Sequence, residues 1–294
     1  MENTTYHEIN QYKDSLFPVG IYHVSNNGIF PSGRGLKDFH WHEELQFTYA
    51  VHGSLVLQVG AEKYFLNEGE AAFINRGMIH AIIELSEGGT YNSLNFPCKL
   101  LSFFSGSRME RECVLPYTSG SSISVMILRP KSTWQRSVIN ILREINEAWD
   151  SVCTHQNEYL ISLKIVNIWY ILLSHFPEEI CQTSSSDLVH RERIQTMISF
   201  IYEHFHEDIS LTDIALCAHI SAGECCRIFR EQLQTTPYQF LTKYRIQKSV
   251  EMLSGKSSIS EIARLCGYNQ VSNYIAKFKS IMNCTPAQYR KLIN

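Results

Sequence analysis

The chain has 294 residues, enough for about two domains that each bury a core of their own. Hydrophobic residues make up 44% and charged residues 19%, a composition that excludes a disordered or fibrous protein. The N-terminus has neither the basic start nor the apolar run of a secretory signal. The most apolar stretch, 161–176, contains polar residues and is shorter than the roughly 20 residues that span a bilayer. We therefore expect a cytoplasmic protein without a membrane partner.

Charge and cysteine content add two constraints. The formal net charge is −3, but residues 187–294 hold 13 Lys and Arg against 10 Asp and Glu, whereas residues 1–186 hold 13 against 19. The C-terminal part is therefore the part suited to a polyanionic partner. The nine cysteines, none in a Cys-x-x-Cys spacing, indicate the reduced thiols of a cytosolic protein rather than disulfides or a zinc site.

The first 130 residues have the pattern of a β-domain. From about Phe17 to Leu128, short runs rich in Val, Ile, Phe and Tyr alternate with glycine-bearing turns such as Asn26-Asn27-Gly28. Many short strands with regular turn signals are typical of a sandwich or barrel. We expect a β-barrel over about 15–130.

Helical periodicity replaces this pattern further along the chain. Apolar residues recur at three- and four-residue spacing over about 132–176 and predict two helices whose wide apolar stripes need a partner surface. The polar, aperiodic stretch 184–189 is the predicted linker, so that 1–183 forms one domain and 190–294 another. The fold class is then two-domain α+β: an N-terminal β-barrel with following helices, and an all-α C-terminal domain.

An internal repeat lies in the C-terminal domain. The run Ser210-Leu211-Thr212-Asp213-Ile214-Ala215 is matched 48 residues later by Ser258-Ile259-Ser260-Glu261-Ile262-Ala263, and Thr236-Pro237 is matched by Thr285-Pro286. Ser258 with Glu261 has the pattern of a capping box, and Ser210 with Asp213 has a weaker version of it. Each unit predicts a short helix, a tight turn and a longer helix, which is a helix-turn-helix. The alternative is a helical bundle with two similar hairpins, but the matching caps favour two helix-turn-helix units.

The longer helix of each unit, about 222–233 and 270–282, combines an apolar face with a polar, cation-bearing face. Such a helix can enter the major groove of DNA. A helix over about 238–253 joins the two units, and we expect it to hold the two reading helices about one turn of DNA (~34 Å) apart. The polar faces carry Glu224, Arg227 and Arg230 in the first helix, and Ser272, Asn273, Lys277 and Lys279 in the second.

Several motifs of this domain are those of a known family. Thr236-Pro237-Tyr238-Gln239-Phe240-Leu241, the run from Ile259 to Tyr268, and Thr285-Pro286-Ala287-Gln288-Tyr289-Arg290 make residues 190–294 resemble the DNA-binding domain of the AraC/XylS transcriptional regulators. The resemblance implies double-stranded promoter DNA and RNA polymerase as partners, and activation rather than repression. It implies base-reading positions at Gly223, Cys226 and Arg227 of the first helix, and at Val271, Ser272, Asn273 and Ala276 of the second.

Two of these positions depart from the family pattern. Gly223 stands where a larger side chain is usual, and Ala276 stands where many members have a polar or basic one. We therefore expect the second helix to contribute less direct readout, with Lys277 and Lys279 binding phosphates.

Histidines mark the N-terminal domain. If extended, the stretch 39–49 places polar residues on one face and large apolar residues on the other, as suits a barrel wall that lines a cavity. The polar face carries His40, His42, Glu44, Gln46 and Thr48, and the apolar face carries Phe39, Trp41, Leu45, Phe47 and Tyr49.

This pattern resembles the cupin (jelly-roll) barrel. His40, His42 and Gly53 match its first motif, and Gly69, Gly77 and His80 match its second; Gln46 holds the family's glutamate position and Asn75 that of the usual proline. Three converging histidines could ligate Fe, Mn, Ni or Zn, but the amide in place of the carboxylate is a poor ligand. We therefore expect no metal and no cofactor.

A small-molecule effector, such as a sugar or another polar metabolite, is the expected ligand of the barrel, bound by His40, His42, Gln46 and His80. Two other interpretations of these side chains stay open. They could hold a metal, or they could only satisfy internal hydrogen bonds.

Together these features predict a ligand-responsive transcription factor that is not an enzyme. The helices within 132–176 are expected to pair two subunits into a homodimer. The alternatives are a metal-dependent cupin enzyme fused to a DNA-binding domain, and a constitutive DNA-binding protein whose barrel only dimerises.

Overall fold

The computed structural model describes residue 12 and residues 16–30, 38–119, 123–150, 154–176 and 185–293. The chain divides into two compact units, one comprising His7–Leu188 and the other comprising the chain from Val189 onward. Within the described residues, helices long and apolar enough to cross a membrane are absent.

Antiparallel sheets form the first unit. The strands are β1 Gly20–Ser25, β2 Gly28–Phe30, β3 Leu45–His52, β4 Ser54–Val59, β5 Glu62–Asn67, β6 Ala71–Ile74, β7 His80–Leu85, β8 Thr90–Phe96 and β9 Val125–Leu128. A six-stranded sheet has the order β2-β1-β8-β3-β6-β9, and a three-stranded sheet has the order β5-β4-β7. The expected β-rich, cupin-like N-terminal fold is confirmed.

Strand alternation divides the apolar side chains between two cores. Tyr22 of β1 and Ala50 of β3 point toward the three-stranded sheet and pack with Leu57 of β4 between the two sheets. Their neighbours Ile21 and Phe47 point to the opposite face and pack against helices. The six-stranded sheet therefore has one face inside the barrel and one face under a helical layer.

The helical layer follows the strands in the chain. Two short helices, α1 Lys99–Ser102 and α2 Leu115–Thr118, flank a π-helical segment, Met109–Val114. Two long helices then follow, α3 Thr133–Asp150 and α4 His155–Leu173, as the periodicity over 132–176 predicts. Ile145 of α3 and Ile165 of α4 are fully buried against the sheet.

The predicted strand from Phe39 is shorter in the structure. Regular pairing begins at Leu45, and His40 is joined to His80 by an isolated antiparallel bridge. Gln46 and Thr48 nevertheless lie on the inner face, while Leu45 and Phe47 lie on the outer face, as the alternation predicts.

The second unit is helical. The stretch 184–189, which the sequence predicts as a linker, is helical from Ser185 onward, because its polar composition does not by itself exclude a helix. The helices are α5 Ser185–His204, α6 Leu211–Cys217, α7 Ala222–Leu233, α8 Pro237–Leu253, α9 Ile259–Leu265, α10 Val271–Met282 and α11 Pro286–Ile293.

Candidate DNA-binding and ligand-binding sites

Both units of the repeat begin with a complete capping box. In α6 the Ser210 hydroxyl accepts from the Asp213 N–H, and the Asp213 carboxylate accepts from the Ser210 N–H at 2.8 Å; Ser258 and Glu261 do the same in α9. The first box is therefore not the weaker version that the sequence suggests. Bonds from the Ser210 hydroxyl and N–H lower the pKa of Asp213, and bonds from the Ser258 N–H and hydroxyl lower that of Glu261.

A residue with positive φ makes the turn in each unit. Gly267 has φ +74° in the second turn, and His219 has φ +55° at the equivalent position of the first. At Gly267 space also requires glycine, because a Cβ atom would overlap the Phe205 carbonyl oxygen and lie 2.7 Å from the Arg245 guanidinium. A glycine at 267 is itself a sequence signal for a turn with positive φ. At 219 the only such signal is that His219 lies 48 residues before Gly267 in the repeat.

The longer helices bury one face each. Cys225, Ile228, Phe229 and Leu233 are buried in α7, and Tyr274 and Phe278 are buried in α10. The other faces carry the positions predicted to meet DNA. Gly223, Arg227, Arg230, Val271, Ser272, Asn273, Ala276 and Lys279 are exposed, and Glu224, Cys226 and Lys277 are half-buried.

Arg227 is held by carboxylates of its own helix. Its Nε and Nη2 donate to the two oxygens of Glu224 at 2.9 and 2.7 Å, and its Nη1 donates to both oxygens of Glu231 at 2.7 Å. His190 Nε2 of α5 lies 3.2 Å from Nη2. The bonds to Glu224 and Glu231 raise the pKa of the Arg227 guanidinium, so this cation is permanent and is neutralised on the surface of α7.

The corresponding helix α10 has a different charge pattern. It contains Lys277 and Lys279 and no Asp or Glu. The ammonium group of Lys277 lies 5.5 Å from the ring centre of Tyr238, in a cation–π arrangement with α8. Helix α10 of the second helix-turn-helix therefore carries an uncompensated positive charge, whereas the charges on α7 of the first helix-turn-helix balance.

Two arginines support the units from inside, a role that the sequence analysis does not assign. Arg245 of α8 donates through Nε to the Phe205 carbonyl at 2.7 Å and through Nη2 to the Glu207 carbonyl, just after α5 ends. Arg290 of α11 donates to the carbonyls of Leu253 and Ser257, where α8 ends. The signal in the sequence is the repeated Tyr-Arg pair, at 244–245 and 289–290.

Burial separates Arg245 from exposed cations of its domain such as Arg230 and Lys279. Desolvation lowers the pKa of its guanidinium, and the guanidinium carbon lies 5.5 Å from the centre of the Tyr268 ring. Its bonds to the exposed carbonyls at a helix end replace water there. Arg245 therefore links α8 to the chain at the end of α5 and to the turn of the second helix-turn-helix.

In the barrel, the four predicted ligand-binding side chains lie together and are buried. His40, His42 and His80 form a cluster whose ligating nitrogens lie within 4.8 Å of one another. The amide group of Gln46 lies 2.8 Å from His42 Nε2 and 3.1 Å from His80 Nε2. The structure thus brings together residues from β3, β7 and the chain before β3.

Proton positions in this cluster follow from its partners. Nδ1 of His40, His42 and His80 lies 2.8, 3.1 and 2.8 Å from the carbonyls of residues 38, 44 and 78, so each Nδ1 carries a hydrogen. Neutral rings then offer Nε2 as an acceptor. We therefore assign the Gln46 amide the orientation that directs its NH₂ toward the imidazoles and its oxygen toward the hydroxyls of Thr48 and Ser93.

The charge state of His80 agrees with this assignment. Its ring is fully buried, and burial is the main reason that its pKa lies well below the ordinary value of 6.5. Positive charge on His40 or His42 would lower that pKa further. With His80 neutral, the donors and acceptors around Gln46 satisfy one another.

The histidine cluster of the barrel is a donor set that a divalent metal ion can use. Three neutral imidazoles that converge from buried positions are suitable ligands for a divalent first-row ion. His40, His42 and His80 would hold such an ion, and the ion would supply a Lewis acid for oxygen atoms of a ligand. The Gln46 amide also satisfies the Nε2 atoms of His42 and His80 without an ion.

Two capped helix-turn-helix units following a cupin-like barrel define a class of DNA-binding transcriptional regulator. A helix-turn-helix domain family matches residues 214–292, and a cupin domain family matches residues 29–90. The chain is 30% identical over 290 residues, 97% of its length and 96% of the relative, to an uncharacterized HTH-type transcriptional regulator, YdeC, from Bacillus subtilis. It belongs to the AraC family of transcriptional regulators.

More distant relatives include regulators of sugar operons. Identity is 25% to the melibiose operon regulatory protein of Escherichia coli, over 86% of this chain and 83% of that protein. It is 24% to the lactose operon transcription activator of Staphylococcus xylosus, over 82% and 81%. Among solved structures, ToxT from Vibrio cholerae aligns with 94% of this chain and 97% of its own, at 14% identity and a TM-score of 0.45.

Proposed function

We propose that the protein regulates transcription by placing α7 and α10 in successive major grooves of promoter DNA. The observation that supports this is the repeat itself: two units with the same caps, the same turn conformation and a longer helix with one exposed polar face. A helix-turn-helix places the exposed N-terminal part of its second helix against base edges. Helix α8 then acts as the spacer that sets the distance between the two reading helices.

Within this proposal the side chains divide by task. Gly223, Cys226 and Arg227 of α7, together with Val271, Ser272, Asn273 and Ala276 of α10, face the bases. The exposed cation Arg230 of α7 faces phosphates. Lys277 and Lys279 do so as well, because α10 lacks carboxylates that would compensate its charge. Glu224 is suited to accept from a cytosine amino group when Arg227 moves to a guanine.

Substitution of Arg227 tests the assignment. If Arg227 reads a base, Arg227→Ala weakens binding to the specific promoter site by about 1–3 kcal/mol and leaves binding to scrambled DNA almost unchanged. Arg111→Ala, which removes an exposed arginine of the N-terminal barrel domain, serves as the control in the same fluorescence-anisotropy titration. Equal losses on both DNAs would make Arg227 a phosphate contact, and no promoter preference in the parent protein would refute the proposal.

The barrel is the proposed sensor of a small polar molecule. His40, His42, Gln46 and His80 supply donors and acceptors at the polar end of a core that is otherwise apolar, as in most ligand sites. Relatives named for melibiose and lactose operons make a sugar the first class to test. In this proposal the hydroxyls of the ligand replace the bonds that the imidazoles make with Gln46.

A thermal-shift screen against neutral sugars tests the sensor role, because a ligand that binds only the folded state raises the unfolding midpoint. Gln46→Leu is expected to abolish the shift. Gln58→Leu is the matched control, since Gln58 is also a buried strand glutamine but bonds to the Gly60 carbonyl in β4's own turn. A barrel that only dimerises would show no shift with any sugar.

Pairing of two subunits through α4 completes the proposal. The inner face of α4 is buried, yet Tyr159, Leu163 and Tyr170 on the other side are 70%, 53% and 69% exposed. A helix that is apolar on both faces needs a second partner. We propose a homodimer that acts in the cytoplasm, activates RNA polymerase, and changes the placement of its DNA-binding domains when the effector binds.

The histidine cluster also supports the second candidate, a metal-dependent cupin enzyme fused to a DNA-binding domain. Metal analysis of the purified protein discriminates between the two. We expect substoichiometric metal and an unchanged unfolding midpoint after chelation, because the Gln46 amide satisfies the Nε2 atoms of His42 and His80 without an ion. Stoichiometric Fe or Mn that is lost in the His40→Ala/His42→Ala double variant would favour the enzyme.

A further inference from the structure

A second polar site lies outside the barrel, on the helix-covered face of the six-stranded sheet. Ile21 of β1 and Leu94 of β8 are covered by the layer that contains α3 and α4. His23 and Asn92, two residues further along the same face of the same strands, lie where α3 ends at Asp150. A groove of about 610 Å³ opens there, within the size range of small-molecule sites.

Strand register places three different side chains in one row across this groove. Phe30 of the edge strand β2 pairs with His23 of β1, and His23 pairs with Asn92 of β8. Directly paired residues project from the same face with Cβ atoms about 5 Å apart. The aromatic ring of Phe30, the imidazole of His23 and the amide of Asn92 therefore lie side by side on this face of the sheet, and we call these three side chains the platform.

Polar contacts orient the platform. His23 Nδ1 lies 2.9 Å from Asn92 Oδ1, and His23 Nε2 lies 3.4 Å from a carboxylate oxygen of Asp150. These contacts engage one oxygen of each partner, while the Asn92 amide nitrogen has two donors and the Asp150 side chain is 63% exposed. The Phe30 ring, 72% exposed, forms the apolar end of the row.

Charge restricts the class of ligand. Among the eleven described residues that line the groove, none is Lys or Arg, and the one carboxylate is that of Asp150. A phosphorylated or carboxylated molecule would meet this carboxylate without a lysine or arginine of the described lining to compensate the charge. A neutral molecule with adjacent hydroxyls matches a carboxylate and an amide side by side, and its C–H face can cover an exposed aromatic ring.

We propose that this groove is a second binding site, for a neutral saccharide, whose ring lies over Phe30 while its hydroxyls bond to Asn92 and Asp150. Because Asp150 is the last residue of α3, a saccharide bound here ties β1 and β8 to the end of the helical pair that we assign to dimerisation. That regulatory consequence rests on the proposed function, whereas the binding itself does not require DNA or dimerisation.

Calorimetric titration of the full chain with galactose, glucose, lactose and sucrose tests the site, with galactose 1-phosphate as the charged analogue. We expect binding of at least one neutral sugar and none of the phosphate. Phe30→Ala and Asn92→Ala should each weaken that binding about tenfold. Phe65→Ala is the matched control, because Phe65 is a 52% exposed phenylalanine on a strand of the other sheet.

The variants also separate this site from the interior one. Full binding in Gln46→Leu together with weaker binding in Phe30→Ala would support the groove even if promoter binding failed. Unchanged binding in both groove variants would overturn the proposal, as would equal affinity for the phosphorylated sugar, or no binding of any of the four sugars. Thermal unfolding of each variant establishes that its fold is intact, which the exposure of Phe30 favours.

Discussion

Arg227 and Glu231 lie one helical turn apart on α7, and Nη1 of the arginine donates to both oxygens of the glutamate at 2.7 Å. An exposed pair of this kind contributes little to stability. In the DNA-reading role that we propose for α7, the pair has another effect, because the carboxylates of Glu224 and Glu231 lower the attraction of Arg227 for phosphates in general. Only a partner that offers two well-placed acceptors, such as the edge of guanine, competes with them.

The first prediction concerns this restraint. Glu231→Gln removes one carboxylate from Arg227, so we expect tighter binding to scrambled DNA, a log–log salt slope steeper by about one, and a smaller ratio of specific to nonspecific affinity. The measurement is a salt titration of binding by fluorescence anisotropy. Glu84→Gln changes an exposed residue of β7 in the N-terminal barrel domain and controls for the change in net charge. Identical effects of the two variants would contradict the restraint.

The second prediction concerns the turn between α9 and α10. Gly267→Ala combines a positive φ with a Cβ atom that overlaps the Phe205 carbonyl and crowds Arg245. We therefore expect the C-terminal helical domain to be destabilised by about 2–3 kcal/mol or more. Gly69→Ala isolates the backbone cost, because Gly69 has φ +78° with nothing within 4 Å of the added Cβ. Its expected cost is about 1 kcal/mol. Scanning calorimetry of both variants checks this, and equal costs would refute the steric argument.

The third prediction concerns pH. In the unfolded chain His80 takes up a proton as the pH falls through about 6.5, while its lowered pKa keeps it neutral in the folded barrel. Below that pH the unfolded state binds more protons, so the free energy of unfolding falls by up to about 1.4 kcal/mol per pH unit; above it His80 contributes no pH dependence.

Urea unfolding at pH 7.5 and 5.5 measures this effect. We expect a smaller loss of stability on acidification in His80→Gln than in the parent protein. His155→Gln, which removes a histidine whose side chain is fully exposed, should retain the parent's loss. A loss in His80→Gln as large as that of the parent would show that another group dominates acid unfolding.

The fourth prediction concerns association. Leu163→Glu places a charge in the middle of the exposed apolar side of α4, and we expect it to shift sedimentation from a dimer to a monomer without unfolding the barrel. Phe65→Glu is the matched control, because the two side chains are 53% and 52% exposed on different elements. A dimer that survives Leu163→Glu would place the subunit interface elsewhere.

Local pattern was sufficient to predict much of this protein. The 48-residue repeat, the Ser-x-x-acidic caps and the Thr-Pro pairs depend on residues three or four positions apart, and the structure places a helix at each predicted position. Alternation along 45–49 likewise predicted which side chains enter the barrel. Such features are short-range, and hydrogen bonding within one turn or one strand determines them.

Other features depend on residues that are far apart in the chain. The predicted linker begins a helix, Arg245 donates to a carbonyl at a distant helix end, and the row of Phe30, His23 and Asn92 exists only because β1 lies between β2 and β8. The sequence by itself determined most of the elements, their caps and the polar faces of α7 and α10. Tertiary structure alone decided which polar groups meet, since the energy of a buried hydrogen bond or ion pair depends on partners that the packing of whole elements brings together.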